Sequence, residues 1–140
     1  MRTVLFVGCL LVSVNVFAQK LSADKVPSAA KAELNKIFPG VSPKWELEDK
    51  NYEANFKNDN RSISVLIDAS GKWLEKETGI AVKELPENAK KYIDKNLKGG
   101  KIKEAALIEK ANGTINYEAE VNKKDLIFDK QGNFIKSVAN

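Results

Sequence analysis

The feature that most constrains this chain is a pattern that occurs twice. Tyr52-Glu53-Ala54 is followed by Ile67-Asp68-Ala69-Ser70-Gly71-Lys72-Trp73, and Tyr117-Glu118-Ala119 by Phe128-Asp129-Lys130-Gln131-Gly132-Asn133-Phe134. Upstream, Val26-Pro27 and the run to Phe38-Pro39-Gly40 match Leu85-Pro86 and the run to Leu97-Lys98-Gly99. Three matching blocks in the same order read as a duplicated unit. The length differences fall between the blocks, as they should if loops tolerate insertions and packed elements do not. The pattern predicts a leader at residues 1–18, one repeat at 19–81 and a second at 82–140, the two forming one structural unit.

The leader is an apolar run from Val4 to Val14 behind Arg2, ending in Asn15-Val16-Phe17-Ala18. Its length is too short to cross about 30 Å of hydrocarbon, and small or aliphatic residues, Val16 and Ala18, sit three before and one before the cut, so it reads as a secretory signal peptide cut after Ala18. The chain has no histidine, and its single cysteine, Cys9, lies in that leader. The expected product, Gln19 to Asn140, is therefore exported, periplasmic or secreted, with no disulfide and no membrane span. Lys and Arg number 23 against 19 Asp and Glu, a net charge of +4, but the basic residues are interspersed. Nucleic acid is not an indicated partner.

After a polar lead-in from Gln19 to Lys25, residues 27–38 read as a helix opened by Pro27, buried along Ala30, Leu34, Ile37 and Phe38, and stopped by Pro39-Gly40. Period two then takes over. Trp45 and Leu47 alternate with Glu46 and Glu48, Tyr52, Ala54 and Phe56 with Glu53, Asn55 and Lys57, and Ile63, Val65 and Ile67 with Ser62, Ser64 and Leu66. Asp49-Lys50-Asn51, Asn58-Asp59-Asn60 and Asp68-Ala69-Ser70-Gly71 supply turns, and a fourth strand follows near 72–78. A second helix opens at Pro86, with Ala89, Ile93 and Leu97 inward. Strands follow near 102–109, 114–121, 124–129 and 133–138, with Asn112-Gly113 as a hairpin turn. The predicted class is α+β: two tandem helix-plus-four-strand repeats, with the helices on one face of an antiparallel sheet. A half of about 60 residues buries little surface alone, so the halves should pack together, either as one long sheet with both helices on one face, the favoured arrangement, or as two abutting lobes, with the face opposite the helices at least partly wet in either case.

Without histidine and a free cysteine, the common nucleophile-and-base pairs and the zinc and haem ligand sets cannot be built. Asp68 and Asp129 lack the alternating acidic or amide ligands of a calcium loop. No phosphate-cradling glycine loop is present, because Gly99-Gly100 follows a helix. Paired carboxylates such as Glu46 and Glu53 could serve a hydrolase, but alternating Glu and Lys on a sheet more often form a solvated face. No catalytic, cofactor-binding or metal-ligating residue is assigned.

The proline before each helix, the Tyr-Glu-Ala strand and the Asp-x-x-Gly-x-aromatic hairpin resemble the PepSY-like family of exported bacterial proteins, which is similar in fold to the β-lactamase inhibitor protein. That resemblance implies a non-enzymatic module that binds or inhibits a protein or peptide of the cell envelope through its open sheet face. The candidate contacts are Glu46, Glu48, Glu53, Lys57, Glu118, Glu120, Lys123 and Lys124. The inhibitor's disulfides have no counterpart in Gln19 to Asn140, and no inhibitory residue carries over. Alternatives are small-ligand binding or envelope-stress sensing, which would need an apolar cavity between helix and sheet, and, behind both, a carboxylate-dependent hydrolase.

Overall fold

A computed structural model describes residues 19–139; the expected signal peptide lies outside them. Nine strands form one antiparallel sheet whose spatial order is their sequence order. They are β1 (Gln19–Leu21), β2 (Lys44–Glu48), β3 (Asn51–Asn58), β4 (Arg61–Ile67), β5 (Trp73–Ile80), β6 (Ile102–Lys110), β7 (Ile115–Val121), β8 (Lys124–Asp129) and β9 (Phe134–Ala139). Helix α1 (Ser28–Ile37) lies in the β1–β2 connection and α2 (Glu87–Asn96) in the β5–β6 connection. A single 3-10 turn precedes each helix, at Ala23–Lys25 and Val82–Glu84.

Two expectations are corrected at the start of the chain. The polar lead-in contains β1, where Leu21 pairs with Trp45 and packs against the first core. Three residues are too few for a period to be recognised in sequence. Pro27 and Pro86 sit one residue before their helices in extended conformation, with ψ of 140° and 142°. The fixed φ of proline serves there as the corner into the helix.

Directly paired residues of antiparallel strands share a face, so the register assigns every side chain. Trp45, Ala54, Val65 and Lys76 fall on one face, as do Ala105, Ala119 and Leu126. Under α1 the core is Val26, Ala30, Leu34, Trp45, Ala54, Ile63, Val65 and Ile67. Under α2 it is Leu85, Ala89, Ile93, Ala105, Ala119, Val121, Leu126 and Phe128. Both helices thus cover the same face, over two separate clusters. Ile37, Phe38 and Leu97, expected on the buried stripes, are half-buried at the helix ends. The ladder runs on between the two sections, since Glu75–Ile80 of β5 pair with Lys110–Ala105 of β6. The fourth strand, expected near 72–78, runs on through Gly79 and Ile80 in that ladder.

Each Asp-x-x-Gly hairpin is built against the first turn of a helix. Asp68 Oδ1 accepts from the amides of Ser70 and Lys72 at 2.9 and 3.0 Å, and Asp129 Oδ1 accepts from those of Gln131 and Asn133 at 2.9 Å each. Gly71 and Gly132 take φ of +88° and +85°. A Cβ on Gly71 would stand 2.8 Å from the Ala29 carbonyl oxygen, and one on Gly132 would stand 2.7 Å from Pro86 Cβ and 2.9 Å from the Ala89 nitrogen. Asn88 Nδ2 donates to the Gln131 carbonyl at 3.0 Å across the same contact. The aspartate and glycine of each hairpin therefore fix how helix and sheet meet.

Gly113 provides the control, because its φ is also +88° but a Cβ there meets open space. Gly113→Ala should cost only backbone strain, about 1–2 kcal/mol. Gly132→Ala should cost clearly more, and urea unfolding of the two variants checks the difference. Equal losses would mean that the hairpin does not seat on α2.

Candidate functional site

The face without helices holds what is chemically unusual about this chain. From β2 to β8 it receives Glu46, Glu48, Glu53, Glu75, Glu77, Glu104, Glu118, Glu120 and Asp125, by register with Ser64, Leu66, Ala106, Ile108 and Ile127. Lys20, Lys44, Lys57, Lys110 and Lys136 share it. No element crosses this face among the described residues. Even so, Glu53 is 3%, Glu77 5%, Glu75 8% and Asp125 8% exposed. Beneath them Leu66, Ala106, Ile108 and Ile127 are buried.

Burial without a covering layer fits a sheet that curls toward this side. Glu48 on β2 and Glu75 on β5 stand three strand spacings apart, about 14 Å on a flat sheet. Yet they line one cavity of about 10 Å³, together with Glu53, Ser64, Leu66 and Glu77. The face is a trough with an apolar floor, and its carboxylates lie over that floor with their stems against it.

Removing carboxylates from water penalises their charged form, and neighbours of the same sign add to the penalty. Burial, then Glu53, Glu75, Asp49 and Glu46, pushes Glu48 up to about 7. Burial, then Asp125, Glu75, Glu120 and Glu104, pushes Glu118 up to about 8. Glu77 is raised well above the usual carboxylate range by burial and by Glu118, Glu75, Glu53 and Asp125. Glu75 is raised by burial while Lys110, 4.0 Å away, opposes the shift. Glu53 is raised by burial although Ser64 Oγ donates to it at 2.5 Å and Asn55 Nδ2 at 3.3 Å. Glu77 Oε1, fully buried, has no hydrogen-bond partner among the described residues.

Six of the eight contacts anticipated from sequence lie on this face: Glu46, Glu48, Glu53, Lys57, Glu118 and Glu120. Glu120 is paired with Lys103 at 3.0 Å. Lys124 pairs with Val121, a residue of the second core, and so takes the helix-side register; Lys123 is in the β7–β8 turn at φ +59°. Glu75, Glu77 and Asp125 escaped the sequence reading. Their signal was the alternation Trp73-x-Glu75-x-Glu77, partly hidden by the bulge between Leu66 and Ile67 that shifts Trp73 in register. The expectation of a solvated Glu and Lys face is corrected for Glu53, Glu75 and Glu77. Curling brings their neighbours over them.

Among the described residues, no group of three or more carboxylates is arranged to hold a metal ion. A second, open cleft of about 640 Å³ lies beside the β3–β4 turn and the Val82–Glu84 turn, lined by Asp59, Arg61, Gly79, Lys103 and Glu104 among others. It lies at strand ends and no residue of either helix lines it, so it is not the helix-and-sheet apolar cavity that ligand sensing would need.

The family described as "Putative beta-lactamase-inhibitor-like, PepSY-like" matches residues 50–136. No protein with a curated description matches in sequence. Among solved structures, one described as "putative periplasmic proteins" from Bacteroides eggerthii superposes with a TM-score of 0.74 at 16% identity, over 81% of this chain and 88% of that one. A DUF2874 family protein from Bacteroides uniformis gives 0.72 at 18%, over 80% and 88%. A BLIP-like protein from Bacteroides fragilis gives 0.63 at 27%, over 81% and 88%. No described helix is long and apolar enough to cross a membrane.

The raised carboxylates predict a pH dependence. An acid whose folded pKa exceeds its unfolded value, here 4.5, holds a proton in the folded chain that the unfolded chain has released, so stability falls as pH rises. The loss begins above 4.5 and continues until pH passes about 7 for Glu48 and about 8 for Glu118. Asp68, Asp129, Glu84 and Glu87 are shifted down and act in the opposite sense, losing their contribution only as pH falls through the acid range. The melting temperature should drop by roughly 5 °C or more from pH 5 to pH 9. Glu118→Gln should flatten that drop, and a wild-type profile level over this range would contradict the burial.

Proposed function

The chain belongs to the PepSY-like family, and we propose that it works as an exported, non-enzymatic binding module that holds a protein or peptide in the trough of its open sheet face. One observation carries the reading: carboxylates and apolar side chains are desolvated together on a face that no part of the described chain covers. A merely solvated face would leave its glutamates in water, and a structural core would not be lined with them. A surface already partly stripped of water costs less to dry on docking. The family's kinship with inhibitor-like proteins and the description of structural neighbours as periplasmic support the same setting. The duplicated unit belongs to this reading too, as the means of extending one sheet across enough width to form a trough. It is supported by the order of turn, helix and four strands, which occurs twice.

A hydrolase reading meets a spatial obstacle. Raised carboxylates suit general acid catalysis, but the cavity among Glu48, Glu53, Glu75 and Glu77 is about 10 Å³, room for a group no larger than a water molecule. Binding is the reading the geometry favours.

Photo-crosslinking residues placed at Lys57 and Glu120, on the open face, should join the partner in cell-envelope preparations. The same residue at Lys31 or Lys91, exposed on the outer sides of the two helices, should not. Adducts from the helix positions alone would move the binding surface to the other side of the molecule.

A further inference from the structure

We propose that the trough recognises a lysine side chain of its partner, whose ammonium group enters the small cavity beside Glu77 and completes its hydrogen bonding. The inference rests on the open-face reading and adds the chemistry of the occupant. The polar groups of the cavity are the carboxyl groups of Glu48, Glu53, Glu75 and Glu77 and a Ser64 hydroxyl already donating to Glu53, with Leu66 and the side-chain stems as apolar lining. Glu77 Oε1 is fully buried and lacks any donor among the described residues. A buried acceptor left unpaired is costly, and the remedy is a donor brought from outside the fold.

Charge decides what kind of donor. An acidic or phosphorylated segment would meet repulsion from four carboxylates, whereas a cation would be attracted by all of them and would favour their charged forms. The acidic character is local, because the chain as a whole carries net +4. Lys110 pairs across the strands with Glu75 and stands 4.0 Å from it, but neither it nor Lys20, Lys44, Lys57 or Lys136 lines the cavity.

Size decides between the two long cations. A volume of about 10 Å³ admits one water-sized group. An ammonium is compact and carries three donors on a slender apolar stem, while a guanidinium is a broad plane that needs a slot. The stem of a lysine could cross the half-buried rim beside Leu66 while its head reached Glu77. Lysine is also the donor whose acetylation would cancel recognition without changing the backbone.

The probe is a short end-blocked peptide of alternating glycine and lysine, compared with its acetyl-lysine counterpart by amide NMR titration of the purified protein. The lysine peptide should shift Ser64, Glu75 and Glu77 saturably, the acetylated peptide should not, and Glu77→Gln should weaken binding about tenfold. Asp94→Asn, exposed on α2, should leave the affinity within about twofold. Equal binding of both peptides in the trough would overturn the lysine inference and leave the open-face reading standing. Shifts confined to the helix side would count against that reading as well. Binding of spermidine or calcium at Glu77 without binding of the peptide would overturn the proposal in favour of a free cation, and binding by a second copy of the chain, seen as concentration-dependent shifts without peptide, in favour of self-association.

Discussion

Desolvation of the carboxylates on the uncovered sheet face is the interaction on which the functional account depends. An antiparallel sheet can bury one face under helices and leave the other wet, with polar residues outward. Here the second face has Leu66, Ala106, Ile108 and Ile127 on its floor, and the sheet curls until glutamate side chains close over them. The apolar floor gains from leaving water, while Glu53, Glu75, Glu77 and Glu118 lose hydration that Ser64, Asn55, Lys110 and Lys136 replace in part. Such a balance is a poor way to stabilise a domain and a good way to hold a surface ready for a partner.

Stability is instead supplied on the other side. Two apolar clusters sit under α1 and α2, and the β5–β6 ladder joins the sections that carry them. The hairpins at Gly71 and Gly132 lock each helix to the sheet through backbone contacts that tolerate no side chain. The face proposed to bind is thereby separated from the face that folds. Charge on the trough can vary without removing any residue from either core.

Much of the fold was legible because its signals are local. Pro27 and Pro86, the alternation of Trp45 with Glu46 and of Tyr52 with Glu53, and the glycine turns each specify an element within a few residues. Strand β1 was not legible, since its three residues take their meaning from pairing with β2. The trough itself was half legible. Period two places Glu46, Glu48, Glu53, Glu118 and Glu120 opposite the apolar residues, but it cannot say whether that side is wet. Burial of Glu53 and Glu77 is set by curvature summed over several strands, and by cross-strand neighbours such as Glu77 and Ile108 that sequence order does not bring together. Lys124 illustrates the same limit, because a two-residue turn at Asn122-Lys123 decides its face.

The most direct measurement is the titration of individual side-chain carboxyl carbons by NMR in the purified protein. The account predicts that Glu48 and Glu118 titrate near 7 and 8, with Glu53, Glu75 and Glu77 also above the ordinary carboxylate range. If all five titrate near 4.5, the face is open to water and the trough, with the binding role built on it, does not exist.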